Sequence, residues 1–202
     1  MKSKLALCLV VIVAVAFMPA SAFADSGGKT VKMKVYDDIY KSGNTIYVAA
    51  HSGLYKVKVK KGKVKKVKRL FTRSWHYDLH GMKKKNNYLY FQGAIGAVSL
   101  SNLYRIKLSG GKAKELDSCR YYAIKGKKIY CYQDENEDDV RKWVMKLNGK
   151  GKKRTSTSAR SIARKTNKKG YRVIVKEKGD YTCDYLKTPK GTYYLGKYIF
   201  TP

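Results

Sequence analysis

The sequence lacks the short motifs that mark the common hydrolytic centres. It has no Gly-x-Ser-x-Gly nucleophile elbow, no paired carboxylates in a recognisable cleft and no cysteine–histidine pair in a supporting context. Acidic residues are also few, 14 against 45 lysines and arginines. The missing motifs argue against catalysis, and we expect a protein without enzymatic activity and without a bound cofactor or metal.

Long apolar runs are equally scarce, with one exception at the N-terminus. Two lysines precede an apolar run over Leu5–Met18, which has the length of a signal-peptide core and is too short to cross a bilayer. Ala22-Phe23-Ala24 then places small residues at the two positions that signal peptidase reads. This order predicts a secretory signal peptide over residues 1–24, cleavage before Asp25, and a secreted or cell-wall-associated mature chain with no transmembrane segment.

Two other kinds of N-terminus are the alternatives. An uncleaved anchor is disfavoured because no stop-transfer pattern follows the apolar run. A lipid anchor at Cys8 is disfavoured because Cys8 lies inside the run and follows Leu7, where a lipoprotein signal needs a small residue. We therefore treat residues 25–202 as one mature domain.

Proline is scarce as well, whereas tyrosine is abundant. The chain has three prolines and 18 tyrosines. A composition rich in tyrosine and valine favours strands over helices and is too aromatic for a disordered polycation. An apolar, tyrosine-containing strand recurs about every 40 residues, the period of a four-stranded propeller blade. Its four copies lie at 44–48, 87–91, 128–132 and, more weakly, 171–175.

Each copy has similar neighbours along the chain. A second strand follows it, as at Leu54–Val57, and then a glycine turn, as at Gly62, and a third strand, as at Lys63–Val67. A further strand precedes each copy, for instance Cys119–Ile124. The pattern predicts an all-β, propeller-like domain of about four repeats of four short antiparallel strands. A β-sandwich with similar hairpins is the alternative.

These copies resemble the propeller-like repeats of the lipoprotein-receptor type, which are also found in domains of unknown function of secreted Gram-positive proteins. The likeness covers Thr30–Phe200 and lies in the tyrosine-containing strand, the Leu-Tyr-Lys/Arg-Val/Ile strand and the glycine turn. The receptor repeats carry a Tyr-Trp-Thr-Asp strand, of which Tyr130–Asp134 keeps only the outline. The resemblance implies a binding or scaffold role and transfers no catalytic residues.

Positive charge is the strongest functional signal. The predicted leader contains two lysines and no carboxylate, so its removal leaves 43 basic against 14 acidic residues. A surplus of this size repels itself, which favours a polyanionic partner over a face that merely keeps the protein soluble. Lysine, a mobile point charge, outnumbers arginine by 36 to nine. This balance suits an anionic cell-wall polymer such as teichoic acid, an anionic lipid surface or an acidic glycan, with nonspecific extracellular nucleic acid also possible.

One predicted hairpin concentrates this charge. Strand alternation places Tyr55, Val57 and Val59 on one side and lysines on the other. The lysine face must meet water or an anion, and the next strand extends it. The candidate binding residues are Lys56, Lys58, Lys60, Lys63 and Lys65.

Two clusters are candidates for a different chemistry. His76, Asp78 and His80 would share one face of a strand, a spacing suited to a metal or to a secreted hydrolase or lyase acting on an acidic polysaccharide, although a packing strand is the simpler interpretation. The acidic run at 134–139 offers oxygens at alternate positions but lacks the glycine and the glutamate of an EF-hand, so a solvated loop is the simpler interpretation.

The mature chain has an odd number of cysteines. Cys119 and Cys131 flank the predicted turn at Gly126 and could meet across a hairpin, which would leave Cys183 without a partner. Each could equally be a small buried hydrophobic residue, the interpretation that their strand positions favour.

Overall fold

A computed structural model describes residues 28–72, 77–95, 101–134 and 140–199. Within these ranges every regular element is a β-strand, so the all-β prediction is confirmed. A search of the same ranges for a helix long and apolar enough to cross a membrane finds none. The predicted leader at residues 1–24, His76 and most of the acidic run lie outside the described residues.

Most strands form antiparallel meanders, in which consecutive strands pair with each other. The first meander consists of β1 (Thr30–Ser42), β2 (Thr45–Ala50), β3 (Gly53–Lys60) and β4 (Lys63–Thr72). The second consists of β5 (Tyr77–Lys85), β6 (Tyr88–Ile95), β7 (Ser101–Lys107) and β8 (Lys114–Ser118). The third consists of β9 (Tyr121–Lys125), β10 (Lys128–Asp134), β11 (Val140–Lys146) and β12 (Lys153–Arg154).

The last part of the chain departs from this pattern. β13 (Ser158–Thr166) pairs in parallel with β1, and β14 (Arg172–Lys178), β15 (Tyr181–Thr188) and β16 (Gly191–Ile199) form a three-stranded antiparallel sheet. The strands that contain Ile46, Leu89 and Ile129 are each second in their meander, whereas the strand with Val173 is first in its sheet. The fourth copy therefore has three strands, because the strand before it hydrogen-bonds to β1 instead.

Glycine sets the tight turns between these strands. Gly62, between β3 and β4, has φ 79°, and Gly126, between β9 and β10, has φ 60°. Residues with a Cβ avoid this left-handed region, so glycine is the residue that lets strands of this length reverse within two positions. The predicted hairpin turns at these two glycines are confirmed.

β1 pairs with β5 at Tyr36 and Met82, which joins the first two meanders in one sheet. Three apolar clusters hold the meanders and the last sheet face to face. The first meander packs one face on the second meander through residues such as Leu54 and Phe91. Its opposite face packs on the last sheet, where Val57 belongs to the same cluster as Leu186. The other face of the second meander joins the third meander and the β1–β13 pair in a cluster that includes Trp143. Burying one large apolar side chain contributes about 1.5–3 kcal/mol, so these clusters are the main source of stability.

Candidate polyanion-binding surface

The β3–β4 hairpin presents its lysines as the alternation predicts. In β3, Val57 and Val59 are buried, while Lys58 and Lys60 are exposed. The chain then turns through Gly62 into β4, which is an edge strand of its sheet. Lys63 and Lys65 are exposed on β4, so four of the five predicted binding residues lie in water.

Lysines oppose lysines across this hairpin. Lys60 pairs with Lys63, Lys58 with Lys66, and Lys56 with Lys68. The register shifts between Lys58 and Val59, which leaves Lys65 as an extra residue on β4. Like charges directly opposite each other in a sheet are destabilising. An anion bound to the hairpin would relieve this repulsion.

Lys56 is the exception among the five predicted residues. It is half-buried, and its Nζ donates a hydrogen bond to the backbone carbonyl of Leu108 at 3.0 Å. Its cross-strand neighbour Lys68 donates from Nζ to the carbonyl of Ser109 at 2.5 Å. These two lysines tie the first meander to the turn after β7. The sequence pattern missed this role because both contacts join segments about 40–50 residues apart.

The fold also adds a residue to the basic surface that strand alternation did not predict. Thr188 Oγ1 donates to the carbonyl of Gly62 at 2.8 Å, which places the β15–β16 turn against the β3–β4 turn. A Cβ built at Gly62 would lie 2.9 Å from Cγ of Lys190. Lys190 is exposed, so its ammonium group belongs to the same surface as Lys60 and Lys63.

Other basic segments are less uniformly exposed. Lys83 is half-buried, its Nζ donates to the carbonyl of Lys34 at 3.3 Å, and burial lowers the pKa of its ammonium group. The segment Arg160 to Lys169 is mostly exposed along β13 and the turn after it. The β3–β4 hairpin differs from these two segments because its lysines are paired across two strands and its turn meets a second basic turn.

A buried carboxylate holds the last sheet against the first meander. Asp184 is fully buried, and its Oδ2 accepts hydrogen bonds from Ser52 N and Ser52 Oγ, each at 2.5 Å. His51 Nδ1 lies 3.6 Å from the other carboxylate oxygen. Burial alone raises the pKa of Asp184, but the nearby His51 and the two hydrogen bonds from Ser52 outweigh it, and the pKa lies below its ordinary value.

This cluster contains serine, histidine and aspartate but not in the order of a nucleophilic centre. The single hydroxyl proton of Ser52 goes to Asp184, so Tyr55 must donate to Ser52 Oγ in their 2.7 Å hydrogen bond. A nucleophilic serine would instead hydrogen-bond to the imidazole of the base. The sequence analysis missed the cluster because its members come from the β2–β3 turn and from β15, which are 132 residues apart.

The predicted histidine–aspartate group is only partly within the described residues. His76 lies outside them. Asp78 is exposed, and the Nδ1 atom of His80 is 3.0 Å from the backbone carbonyl of Asp78. Asp78 lines a pocket of about 240 Å³ together with Asp38 and His51. Burial, followed by the charge of Asp37, raises the pKa of Asp38. Among the described residues no group of three or more His, Cys, Asp or Glu is placed to hold a metal ion.

The acidic run begins with a residue whose role is structural. Asp134 accepts two hydrogen bonds from Arg120 Nη1, at 2.9 and 2.8 Å. The residues at 135–139, which carried the remaining calcium candidates, lie outside the described residues.

The three cysteines within the described residues, Cys119, Cys131 and Cys183, are buried and carry free thiols. Cys119 and Cys131 lie in the same apolar cluster. Burial raises the pKa of the Cys119 thiol well above its ordinary value, and a hydrogen bond with Cys131 raises it further. These cysteines are therefore small buried side chains in the structure. This agrees with the interpretation that their strand positions favoured.

No family model and no curated protein matches this sequence. Solved structures that are similar to the chain include the following two. The crystal structure of TolB from Acinetobacter baumannii has a TM-score of 0.44 at 13% identity over 81% of this chain and 45% of that chain. The N-terminal domain of Nup159 has a TM-score of 0.42 at 12% identity over 78% of this chain and 46% of that chain. The chain therefore spans less than half the length of either structure.

Proposed function

We propose that this chain is an exported, non-enzymatic binding protein that adheres to anionic polymers of the cell envelope through the lysine surface. The lysine surface consists of Lys58, Lys60, Lys63 and Lys65 of the β3–β4 hairpin together with Lys190 of the neighbouring turn. The partner is an anionic cell-wall polymer, with an anionic lipid surface, an acidic glycan or nonspecific nucleic acid as the other polyanions that its charge would attract.

One observation carries the proposal. Exposed lysines lie directly opposite one another across the β3–β4 hairpin, at a sheet edge, and the turn that carries Lys190 packs against the end of that hairpin. The full sequence has a surplus of 31 positive charges, so its carboxylates are too few to neutralise these lysines. Binding a polyanion removes the repulsion and releases condensed counterions from the polymer, which favours association.

A propeller-like arrangement is part of the same proposal. Three four-stranded meanders and a three-stranded sheet, packed face to face by three apolar clusters, support it. In this arrangement the sheets are blades around an axis, and β13 pairs with β1 of the first meander instead of completing the last blade. A crystal structure with two stacked sheets that exchange strands would replace the propeller by the sandwich.

The test of adhesion is retention on purified wall teichoic acid across a salt series. The variant changes Lys58, Lys60, Lys63 and Lys65 to glutamine. Each lysine that neutralises one phosphate contributes about 0.7–0.9 to the slope of log affinity against log salt, so losing four should flatten the slope by roughly 3. Lys56 stays unchanged because its substitution would remove the hydrogen bond to Leu108, and a loss of stability could then be mistaken for a loss of binding.

The matched control removes the same charge from another place. Four exposed lysines outside the lysine surface are changed to glutamine, namely Lys112, Lys125, Lys127 and Lys128. A smaller slope change for the control supports the lysine surface, whereas an equal change would assign the attraction to the whole molecule. Salt-independent retention would overturn the proposal. Unchanged retention with new aggregation would show that the lysines instead protect the edge of the sheet.

A further inference from the structure

A second basic concavity lies between the second and third meanders, away from the lysine surface. It has a volume of about 1080 Å³ and is formed by β8 on one side and by β10, β11 and the β12 segment on the other. Among its described lining residues, five are lysine or arginine and one, Asp117, is acidic. We refer to it as the interblade cleft.

The only described carboxylate of the interblade cleft is already engaged. Lys152 Nζ lies 2.7 Å from Asp117 Oδ2 and 4.3 Å from the centre of the Trp143 ring. Lys153 and Arg154 also line the cleft and add positive charge to it. The guanidinium group of Arg154 can match phosphate or carboxylate oxygens in pairs.

Strand register places the polar groups of the cleft on one sheet face. Gln133 of β10 pairs with Arg141 of β11, and Trp143 of β11 pairs with Arg154 of β12. Directly paired residues project to the same side of a sheet, and residues 141 and 143 of one strand do so as well. The four side chains thus form a contiguous group at the wall of the cleft.

Two polar atoms of this group are buried without a partner. Trp143 is 5% exposed and Gln133 is 4% exposed. Trp143 Nε1 and Gln133 Oε1 have no hydrogen-bond partner among the residues that the structure describes. A buried donor or acceptor without a partner is unfavourable and rare in folded proteins. The indole N–H needs an acceptor, and the amide oxygen needs a donor.

We propose that the interblade cleft binds a small hydroxylated anion, namely a polyol or sugar unit that carries a phosphate or a carboxylate. The anionic oxygens meet Arg154 and accept from the Trp143 indole N–H. A hydroxyl group donates to Gln133 Oε1. The inference goes beyond adhesion through the lysine surface and uses none of its residues, so either site can fail alone.

The indole N–H of Trp143 is itself the reporter. The chain has two tryptophans, so a nitrogen–proton correlation spectrum has at most two indole signals, and the Trp143→Phe variant assigns them by the loss of one. The purified protein is titrated with glycerol 3-phosphate, and separately with glucuronate, inorganic phosphate and glycerol. We expect a saturable shift of the Trp143 signal with one or both hydroxylated anions. Inorganic phosphate and glycerol each lack one of the two kinds of contact, so each should bind at least about tenfold more weakly, which corresponds to about 1.4 kcal/mol.

Comparison of glycerol 3-phosphate with glucuronate distinguishes phosphate from carboxylate as the anionic group. Arg154→Gln, on the exposed β12 segment, should weaken binding about tenfold, the loss that one good charged hydrogen bond represents. The matched control, Lys127→Gln, removes one exposed charge that belongs to neither proposed site and should leave the affinity unchanged. Calorimetry of Trp143→Phe should show the same order of weakening as Arg154→Gln.

Three results would overturn the proposal. The first is a Trp143 signal that does not move with either hydroxylated anion. The second is equal binding of inorganic phosphate, which would leave an anion site without the hydroxyl contact. The third is equal weakening by Lys127→Gln and Arg154→Gln, which would reduce the effect to general surface charge. Unchanged amide signals elsewhere verify that each variant remains folded.

Discussion

Replacing Asp184 with asparagine should loosen the contact between the last sheet and the first meander. Asp184 Oδ2 accepts two hydrogen bonds of 2.5 Å from Ser52 and is fully buried. Hydrogen bonds to a charged group contribute about 1.5–3 kcal/mol each, against about 0.5–1.5 kcal/mol for neutral ones. The stabilisation from the two hydrogen bonds therefore falls by roughly 2–3 kcal/mol in total. Burying an amide costs less desolvation free energy than burying a carboxylate, which offsets part of this loss.

The expected net loss is about 1–2 kcal/mol at neutral pH, which corresponds to a fall in Tm of roughly 2–8 °C for a chain of this size. The assay is urea denaturation followed by tyrosine and tryptophan fluorescence. Asp180→Asn is the matched control, because Asp180 is exposed in the β14–β15 turn of the same sheet. Its stability should equal that of the parent within about 0.5 kcal/mol.

The pH dependence gives a sharper test of the same reasoning. The pKa of Asp184 is lower in the folded state than its ordinary value near 3.8. A depressed carboxyl pKa adds stability that is complete above the unfolded pKa and is lost as the pH falls through the folded one. The difference between parent and Asp184→Asn should therefore be present at pH 7 and narrow as the pH falls below about 5. A variant as stable as the parent at pH 7, or a difference that did not narrow at low pH, would refute the assigned hydrogen bonds.

Three further predictions concern packing, thiol chemistry and export. Gly196→Ala should lower the free energy of unfolding by about 1–3 kcal/mol or more, because the new Cβ would overlap the Tyr55 hydroxyl and lie 2.8 Å from Ser52 Oγ. Urea denaturation measures this loss, and an unchanged midpoint would contradict the packing. Cys119 should resist iodoacetamide in the folded protein and react in urea, as judged by mass spectrometry, since burial raises its thiol pKa; equal labelling in both states would contradict its burial. N-terminal sequencing of protein recovered from the medium or wall should begin at Asp25, and an intact N-terminus on that material would refute cleavage.

Local pattern was enough to predict the strands and turns of this chain. Alternation of apolar residues and lysines over Tyr55–Lys60 matches the burial of β3 at every position except Lys56, which is half-buried. Glycine at 62 and 126 was enough to place two hairpin turns, because few other residues adopt the backbone angles there. The positions of exposed lysines on the β3–β4 hairpin followed from the same alternation, since it acts over neighbouring residues only.

Contacts between distant segments could not be predicted from the sequence. The strand over Ser158–Thr166 pairs in parallel with β1 instead of completing the fourth copy, and nothing in its own residues specifies a partner more than 120 positions away. The contact of Lys56 could not be predicted either. Its position in the alternating pattern is that of an exposed residue, but its ammonium group donates a hydrogen bond to the carbonyl of Leu108.

The amino-acid sequence by itself determined the β class, the turn positions, the charge surplus and the exposed side of the β3–β4 hairpin, because each depends on composition or on neighbours along one strand. Tertiary structure alone decided which turns meet, which carboxylate is buried and where a cleft opens. Asp184 acquires its role from Ser52, and Trp143 faces the interblade cleft only because β8 of another meander forms the opposite wall. Such groups come together through packing between sheets, and the local periodicity of a single strand does not specify that packing.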